Sequence, residues 1–399
     1  MMGVSRRLET FARLVAWIGK GQYLVMSSKA HSPGLPLSGI KVLDATSNIA
    51  GPFSGAVLAD LGAEVIKIET PTGDPARAMS PIDGDRSAYF HVVNRNKTGV
   101  TIDLKSKEGQ SRLGNMLDEC DVFLTNFLPE RLQTLGLTSQ ELRAKRPRLI
   151  FGNLSSYGAE GPDKAAPGYD ATVQARTGIM HVTGEPDGDP VRAGVSVLDI
   201  GGGMWLAIGV LAALLKRERT GEGSVVETSL FETGALWVSY HLSANQLTGQ
   251  ASVRSGAGHP AFSPYGLFAT SSGTLCIGVG NNNIFAKLCE LINREDLVQD
   301  IRFLTNSDRV TNALILKAEI EKSLANKDAV YWGQVLGSGG VPADRVSLPE
   351  ELFHDSQAQA VGILLDYPDT TTQVQLIPGL PLRFDGERPP IRLPAPHLK

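Results

Sequence analysis

The sequence predicts an α/β protein, with a large Rossmann-like, doubly wound domain and a smaller α+β domain inserted before the chain returns to the large one. Three observations lead there. Residues 40–69 read as strand, loop, helix and strand, the opening unit of a parallel sheet. Apolar strands and amphipathic helices then alternate as far as Leu247. Beyond residue 250 the texture changes to a flexible loop, a hairpin and two helices. The boundaries that follow are 1–35 for an N-terminal extension, 36–249 for the large domain, 250–345 for the small one and 346–399 for the return.

The elements follow in order. The first strand, 40–46, leads through a short loop to Pro52, whose fixed φ suits the first turn of a helix to Leu61. Gly62 ends that helix and 64–69 is the next strand. Glu69 stands where a ribose-binding acid would, but the phosphate loop G-x-G-x-x-G is missing: only Gly51 and Gly55 occur here. NAD binding is rejected on that ground. Strands at 100–104 and 121–125 enclose an amphipathic helix at 108–120. Helix 139–145, strand 148–153 and a Gly/Pro loop come next, and Pro167-Gly-Tyr169-Asp170 opens a helix to Thr183 with Asp170 as its cap. Strand 224–230 and helix 232–247 complete the large domain. In the small one, 266–270 pairs with 274–279, and helices occupy 284–292 and 309–324.

Between these lies the stretch from Asp189 to Leu215, in which Asp199 and Gly201-Gly202-Gly203 precede an almost wholly apolar helix. Asp is a good helix cap, and the helix dipole favours its ionised form. The glycines leave the backbone bare, so another molecule's atoms can come close. A carboxylate on such a shelf suits a nucleophile, although an ordinary capping Asp before a core helix has the same sequence.

Composition narrows the class. With 42% hydrophobic and 20% charged residues this is a soluble globular composition, and the net charge of -4 gives no general attraction to nucleic acid or anionic membrane. An anionic ligand must therefore meet a local basic site. Cys120, Cys276 and Cys289 are widely spaced, show no metal-ligand pattern and fit a reducing compartment. The apolar run from Met204 to Leu215 is too short to span a bilayer. The first 34 residues carry five Lys or Arg against Glu9, with apolar residues at helical spacing. This is the make-up of a mitochondrial transit peptide; the alternative is a frayed or mis-started N-terminus on a cytoplasmic protein.

A set of motifs runs through the chain: Val42-Leu-Asp44, Ala50-Gly51-Pro52, Leu61-Gly62-Ala63-Glu64, Asn94-Arg95-Asn96-Lys97, Asn126-Phe127, Gly168-Tyr169-Asp170, Gly194 to Gly203 and Thr220-Gly-Glu-Gly223. In these, residues 36–395 resemble the class III CoA-transferase family (CaiB/BaiF type). The run from Gly178 to Val195 is most similar to the succinyl-CoA:glutarate branch. The resemblance implies an interlocked homodimer, acyl-CoA and a carboxylic acid as substrates, no permanently bound cofactor and no metal. It places the covalent nucleophile on Asp199, with Gly201 and Gly202 N–H groups for the oxyanion.

The same resemblance assigns further roles. Ser47, Arg95, Lys97, Lys105, Asn126 and Phe127 fall at CoA-binding places, with Arg77 as a further cation for the phosphates. Each cation has the alternative of a solvated surface charge, and Phe127 that of a core aromatic. Gly256-Ala-Gly258-His259-Pro260 matches a loop that covers the intermediate, or is a plain linker, and His259 is a candidate contact for the acceptor acid. Arg192 is a candidate for a dicarboxylate's distal end, or pairs with Asp187 or Asp189.

Departures from the family pattern sharpen the expectation. Tyr169 stands where the racemase branch has histidine, and a phenol with a pKa of about 10 is a poor base at neutral pH. Transfer is thus favoured over 2-methylacyl-CoA isomerisation; a non-catalytic acyl-CoA-binding protein is the third possibility. Thr70 and Ser47 replace an arginine and a histidine of the formyl-CoA branch. The resemblance also implies a glycine turn and a helix beyond the Pro394–Lys399 stretch.

Overall fold

The computed structural model describes residues 34–398. The basic N-terminal segment read as a transit peptide lies outside them, apart from Gly34. Six parallel strands form the main sheet: β1 (Lys41–Asp44), β2 (Glu64–Glu69), β3 (Lys97–Thr101), β4 (Val122–Thr125), β5 (Ile150–Ser155) and β6 (Val225–Ser229). Their order across the sheet is β3-β2-β1-β4-β5-β6. This is a doubly wound arrangement, and its order reverses between β1 and β4.

Burial on both faces explains why the strands read as nearly continuous apolar runs. Successive residues point to opposite sides. Val42, Leu124 and Ile150 therefore enter the core under α1 (Ala50–Asp60) and α8 (Val197–Thr220). Leu43, Phe123 and Phe151 enter the other core, under α3 (Lys107–Asp118) and α5 (Ser139–Lys145). Between α1 and α3 lies α2 (Ala88–Asn94), and α4 (Pro129–Thr134) precedes α5.

Several boundaries differ from the sequence reading. The strand expected at 100–104 is β3, three residues earlier, because Lys97 is a buried strand residue here. The helix expected to reach Thr183 breaks at Gly178, whose φ of +84° turns the chain between α6 (Asp170–Thr177) and α7 (Ile179–Val182). The helix expected at 232–247 is split at Val238 into α9 (Leu230–Trp237) and α10 (Ser239–Thr248).

Helix α8 runs for 24 residues, longer than its central apolar stretch suggests, and by length and composition alone it would reach across a bilayer. It packs on α1, β5, β6 and α9. Glycines permit that approach. A Cβ on Gly201 would enter the Trp237 ring, and one on Gly203 would lie 2.5 Å from the Ala50 carbonyl oxygen.

A second core, from Phe268 to Val341, surrounds the antiparallel sheet of β7 (Tyr265–Ala269), β8 (Thr274–Gly278) and β9 (Ala343–Arg345). The hairpin read from the sequence is β7–β8. The last described residues return to the main sheet, where the Asn96 carboxamide oxygen accepts the N–H groups of Arg392 and Leu393. The Tyr367 hydroxyl accepts that of Ala395.

Candidate active site

In doubly wound sheets, ligands collect beyond the strand C-termini where the strand order reverses. Here that place is the gap between the loops after β1 and β4. The Asn126 side chain closes it, its oxygen accepting the Ser47 N–H at 3.0 Å and its nitrogen donating to the Ser47 carbonyl at 2.9 Å. The β1 loop is pinned from below. Asp74 accepts the Asn48 N–H at 3.0 Å and the Lys67 ammonium at 2.6 Å, while Lys67 also donates to the Thr46 carbonyl.

A cavity of about 450 Å³ opens at this point. Ser47, Asn126, Phe127, Tyr169 and Asp199 all line it, joined by Asn153, Glu227 and Lys164. A smaller cavity of about 220 Å³ shares Ser47 and Phe127 and runs along Glu69, Thr70 and Arg131. The Arg131 guanidinium lies 3.9 Å above the Phe127 ring. Arg131 and Lys164 were missed in the sequence. Pro129 at the first turn of α4 signals a helix start that would have aimed attention at Arg131.

Asp199 differs from its sequence reading in two ways. It sits in the first turn of α8 but does not cap it; Ser196 holds the cap position. The carboxylate of Asp170 does the capping instead, accepting the N–H groups of Leu198 at 2.7 Å and Asp199 at 3.2 Å. Asp170, expected to cap its own helix, thus serves its neighbour's. Second, burial and the nearby Asp170 charge push the Asp199 carboxyl up to about 7, opposite to the dipole expectation.

The glycine shelf is also corrected. Gly201, Gly202 and Gly203 are buried inside α8, facing Trp237, Leu230 and the Ala50 carbonyl, so their missing side chains admit protein, not ligand. Their N–H groups belong to the helical ladder and do not form an oxyanion site.

Of the expected phosphate ligands, the structure brings none to either cavity. Lys97 is fully buried, bound to Asp44 at 2.7 Å, the Pro52 carbonyl at 2.7 Å and Asn94 at 3.0 Å. Its ammonium is driven down to about 8 by burial. Arg95 holds Asp60 through two nitrogens, and Arg77 grips Glu69 in the same way. These three charges are internal staples. Lys105 is exposed, one residue beyond Leu104 of the smaller cavity.

Other expected contacts also lie outside the cavity. The Gly256 N–H donates to the Gly184 carbonyl, and the Gly258 N–H to that of Ser255. His259 packs among Tyr240, Phe262 and Tyr265, and its Nδ1 accepts the Ala261 N–H. Arg192 is exposed and donates to the Ala193 carbonyl. Tyr169 is 70% exposed at the cavity rim. Among the described residues no cluster of His, Cys, Asp and Glu could hold a metal ion.

Residues 37–399 match the model of CoA-transferase family III. The chain belongs to that family. It is 36% identical to acetyl-CoA:oxalate CoA-transferase of Acetobacter aceti, over 92% of this chain and 94% of that one. It is 34% identical to succinyl-CoA:glutarate CoA-transferase of Mus musculus, over 96% and 87%. The crystal structure of a CAIB/BAIF family protein from Brucella suis superposes with a TM-score of 0.81 at 34% identity, covering 91% of this chain and 96% of that one. The protein is therefore a CoA-transferase, and the cavity around Asp199 is the place to look for its chemistry.

Proposed function

We propose that this transferase moves CoA from a short acyl-CoA, succinyl-CoA by preference, to a small dicarboxylic acid such as glutarate through covalent intermediates on Asp199. The observation that carries the reading is the state of that side chain. It lines the cavity at the sheet's switch point, and no described residue donates a hydrogen bond to its carboxyl oxygens. A carboxylate held without hydrogen bonds from the protein is a stronger nucleophile than one that is so bound. The oxalate and glutarate relatives support a dicarboxylate acceptor.

In the steps envisaged, the Asp199 carboxylate attacks the thioester carbonyl, the C–S bond breaks and CoA leaves as thiolate. The thiolate then attacks the aspartyl carbonyl of this mixed anhydride, releasing the donor acid and leaving an Asp199–CoA thioester. The acceptor carboxylate displaces the thiolate to form a second anhydride. Thiolate attack on the acceptor's carbonyl gives the new acyl-CoA and restores Asp199. Each activated acyl group replaces another, so the sequence needs no outside oxidant or reductant.

The smaller cavity suits the nucleotide end of CoA. Phe127 borders both cavities under the Arg131 guanidinium, and Arg131 and Lys164 are cations at the walls in place of Lys97, Arg95 and Arg77, the further wall cation Lys67 being bound to Asp74. A homodimer is part of the proposal. Helix α10 has no buried residue within one chain and exposes its own Tyr240 and Leu242; Leu236 of α9 and Trp205 and Ile208 of α8 are exposed apolar residues as well.

The test is to incubate the protein with succinyl-CoA and a panel of acids and to follow new acyl-CoAs by mass. Exchange with dicarboxylates, lost in Asp199→Ala, is expected. Exchange with none of the acids would overturn the reading. Solvent deuterium entering the α-carbon of a 2-methylacyl-CoA would point to isomerisation instead.

A further inference from the structure

The first turn of α8 has its backbone donors engaged in an unusual way. Val197 N–H goes to the Val195 carbonyl and Ile200 N–H to that of Ser196. Those of Leu198 and Asp199 go to one oxygen of Asp170. The other Asp170 oxygen accepts the Gln174 amide, and the Gln174 oxygen accepts the Ala193 N–H at 2.9 Å. Asp170 is 6% exposed and Gln174 fully buried. Two residues one turn apart on α6 thus fasten both the approach to α8 and its first turn.

We propose that Asp170 is the positioning residue of this transferase: it fixes the backbone that carries Asp199, takes the helix N–H groups that would otherwise solvate an anion, and sets a like charge beside the nucleophile. The proposal rests on the reading of Asp199 as the covalent nucleophile. A helix N-terminus ordinarily stabilises a carboxylate. Here that stabilisation is spent on Asp170, leaving Asp199 without donors and against a like charge. Burial first and this like charge second make the Asp199 anion costly to form, so that it appears as pH rises through about 7 and is correspondingly reactive.

Other charges around Asp199 do not produce this effect. On the cavity wall, β6 contributes Glu227 and the loop before α6 contributes Lys164. From α9, Glu232 is bound to the Ser229 hydroxyl at 2.6 Å. On α1, Asp60 is paired with Arg95; on α6, Arg176 is paired with Asp163.

The experiment follows the Asp199–CoA thioester by intact mass after acid quench, at short times, from pH 5 to 8.5. In the wild type, adduct formation should rise with a midpoint near 7. Asp170→Asn keeps an acceptor for the Leu198 and Asp199 N–H groups but removes the charge, so its midpoint should fall by about one pH unit. Asp170→Glu keeps the charge but displaces the oxygens, so it should hold the midpoint while slowing adduct formation about tenfold or more. An unmoved midpoint in Asp170→Asn would overturn the proposal. If that variant does not fold, an Asp170→Glu protein with wild-type rate and midpoint would overturn it. A wild type that forms no adduct at any pH would instead sink the transferase chemistry on which it rests.

Discussion

At the residue scale, the nucleophilic role proposed for Asp199 and the stability of the fold oppose each other. Its folded-state pKa is raised above the free value of 3.8, so the folded protein binds the extra proton between 3.8 and about 7. Stability therefore falls as pH rises through that window and levels off above it. Asp199→Asn removes the penalty. It should stabilise the protein by about 1–3 kcal/mol at pH 8, the full linkage value being reduced by water in the open cavity, and by little near pH 4. Thermal or urea unfolding at the two pH values checks this. A variant equally stabilised at both would show that burial of the charge is not the cause.

Lys97 gives the contrasting case. Its charge was visible in the sequence but its burial was not, and a lysine after Asn-Arg-Asn reads equally well as a phosphate ligand or a solvated surface charge; neither reading anticipates an internal staple. The structure assigns the staple. Lys97→Met would leave Asp44 buried without its partner and should cost about 3–5 kcal/mol. Equilibrium unfolding reads that loss; a stable variant with a selectively raised KM for CoA would restore the phosphate role.

At the element scale, glycines divide by what stands opposite them. Gly203 lets α8 touch α1, and Gly203→Ala must push the helix off the Ala50 carbonyl, costing about 1–3 kcal/mol. Gly114 lies inside α3 with nothing within 4 Å of its would-be Cβ, so Gly114→Ala should add about 0.5–1 kcal/mol. Denaturation midpoints of the two variants should move in opposite directions. Local sequence cannot distinguish these glycines, since both sit in helices. The difference arises only once α8 meets its neighbours.

Strand and helix positions were legible where burial acts on a run of residues. Strand β2 falls at 64–69 as read, and α5 at 139–145, because apolar spacing and a Thr138 capping box define it locally. Strand β3 was displaced because its first residue is a buried cation. Helix α6 was overrun because Gly178 adopts a left-handed turn that a single glycine in a helical pattern does not announce.

At the scale of the whole molecule, the alternation of strands and helices foretold the doubly wound sheet, and its switch point gathered Ser47, Asn126, Phe127, Tyr169 and Asp199, which lie more than a hundred residues apart in places. Of Arg131 and Lys164 at the cavity walls, Arg131 alone has a local signal, Pro129 at the start of α4; Lys164 and the Asp170–Gln174 fastening were not legible, because they depend on how α6 and the loop before it pack. The second copy proposed to cover α10 is a whole-molecule matter too. Sedimentation should show a dimer, and Trp205→Glu, placing a charge on the exposed face of α8, should weaken it.

The most direct measurement joins these scales. The protein is mixed with succinyl-CoA without an acceptor, quenched in acid and digested, and the CoA adduct is located by mass. A thioester on Asp199, absent in Asp199→Ala, is expected. An adduct on another residue, or unchanged acyl exchange in Asp199→Ala, would contradict it.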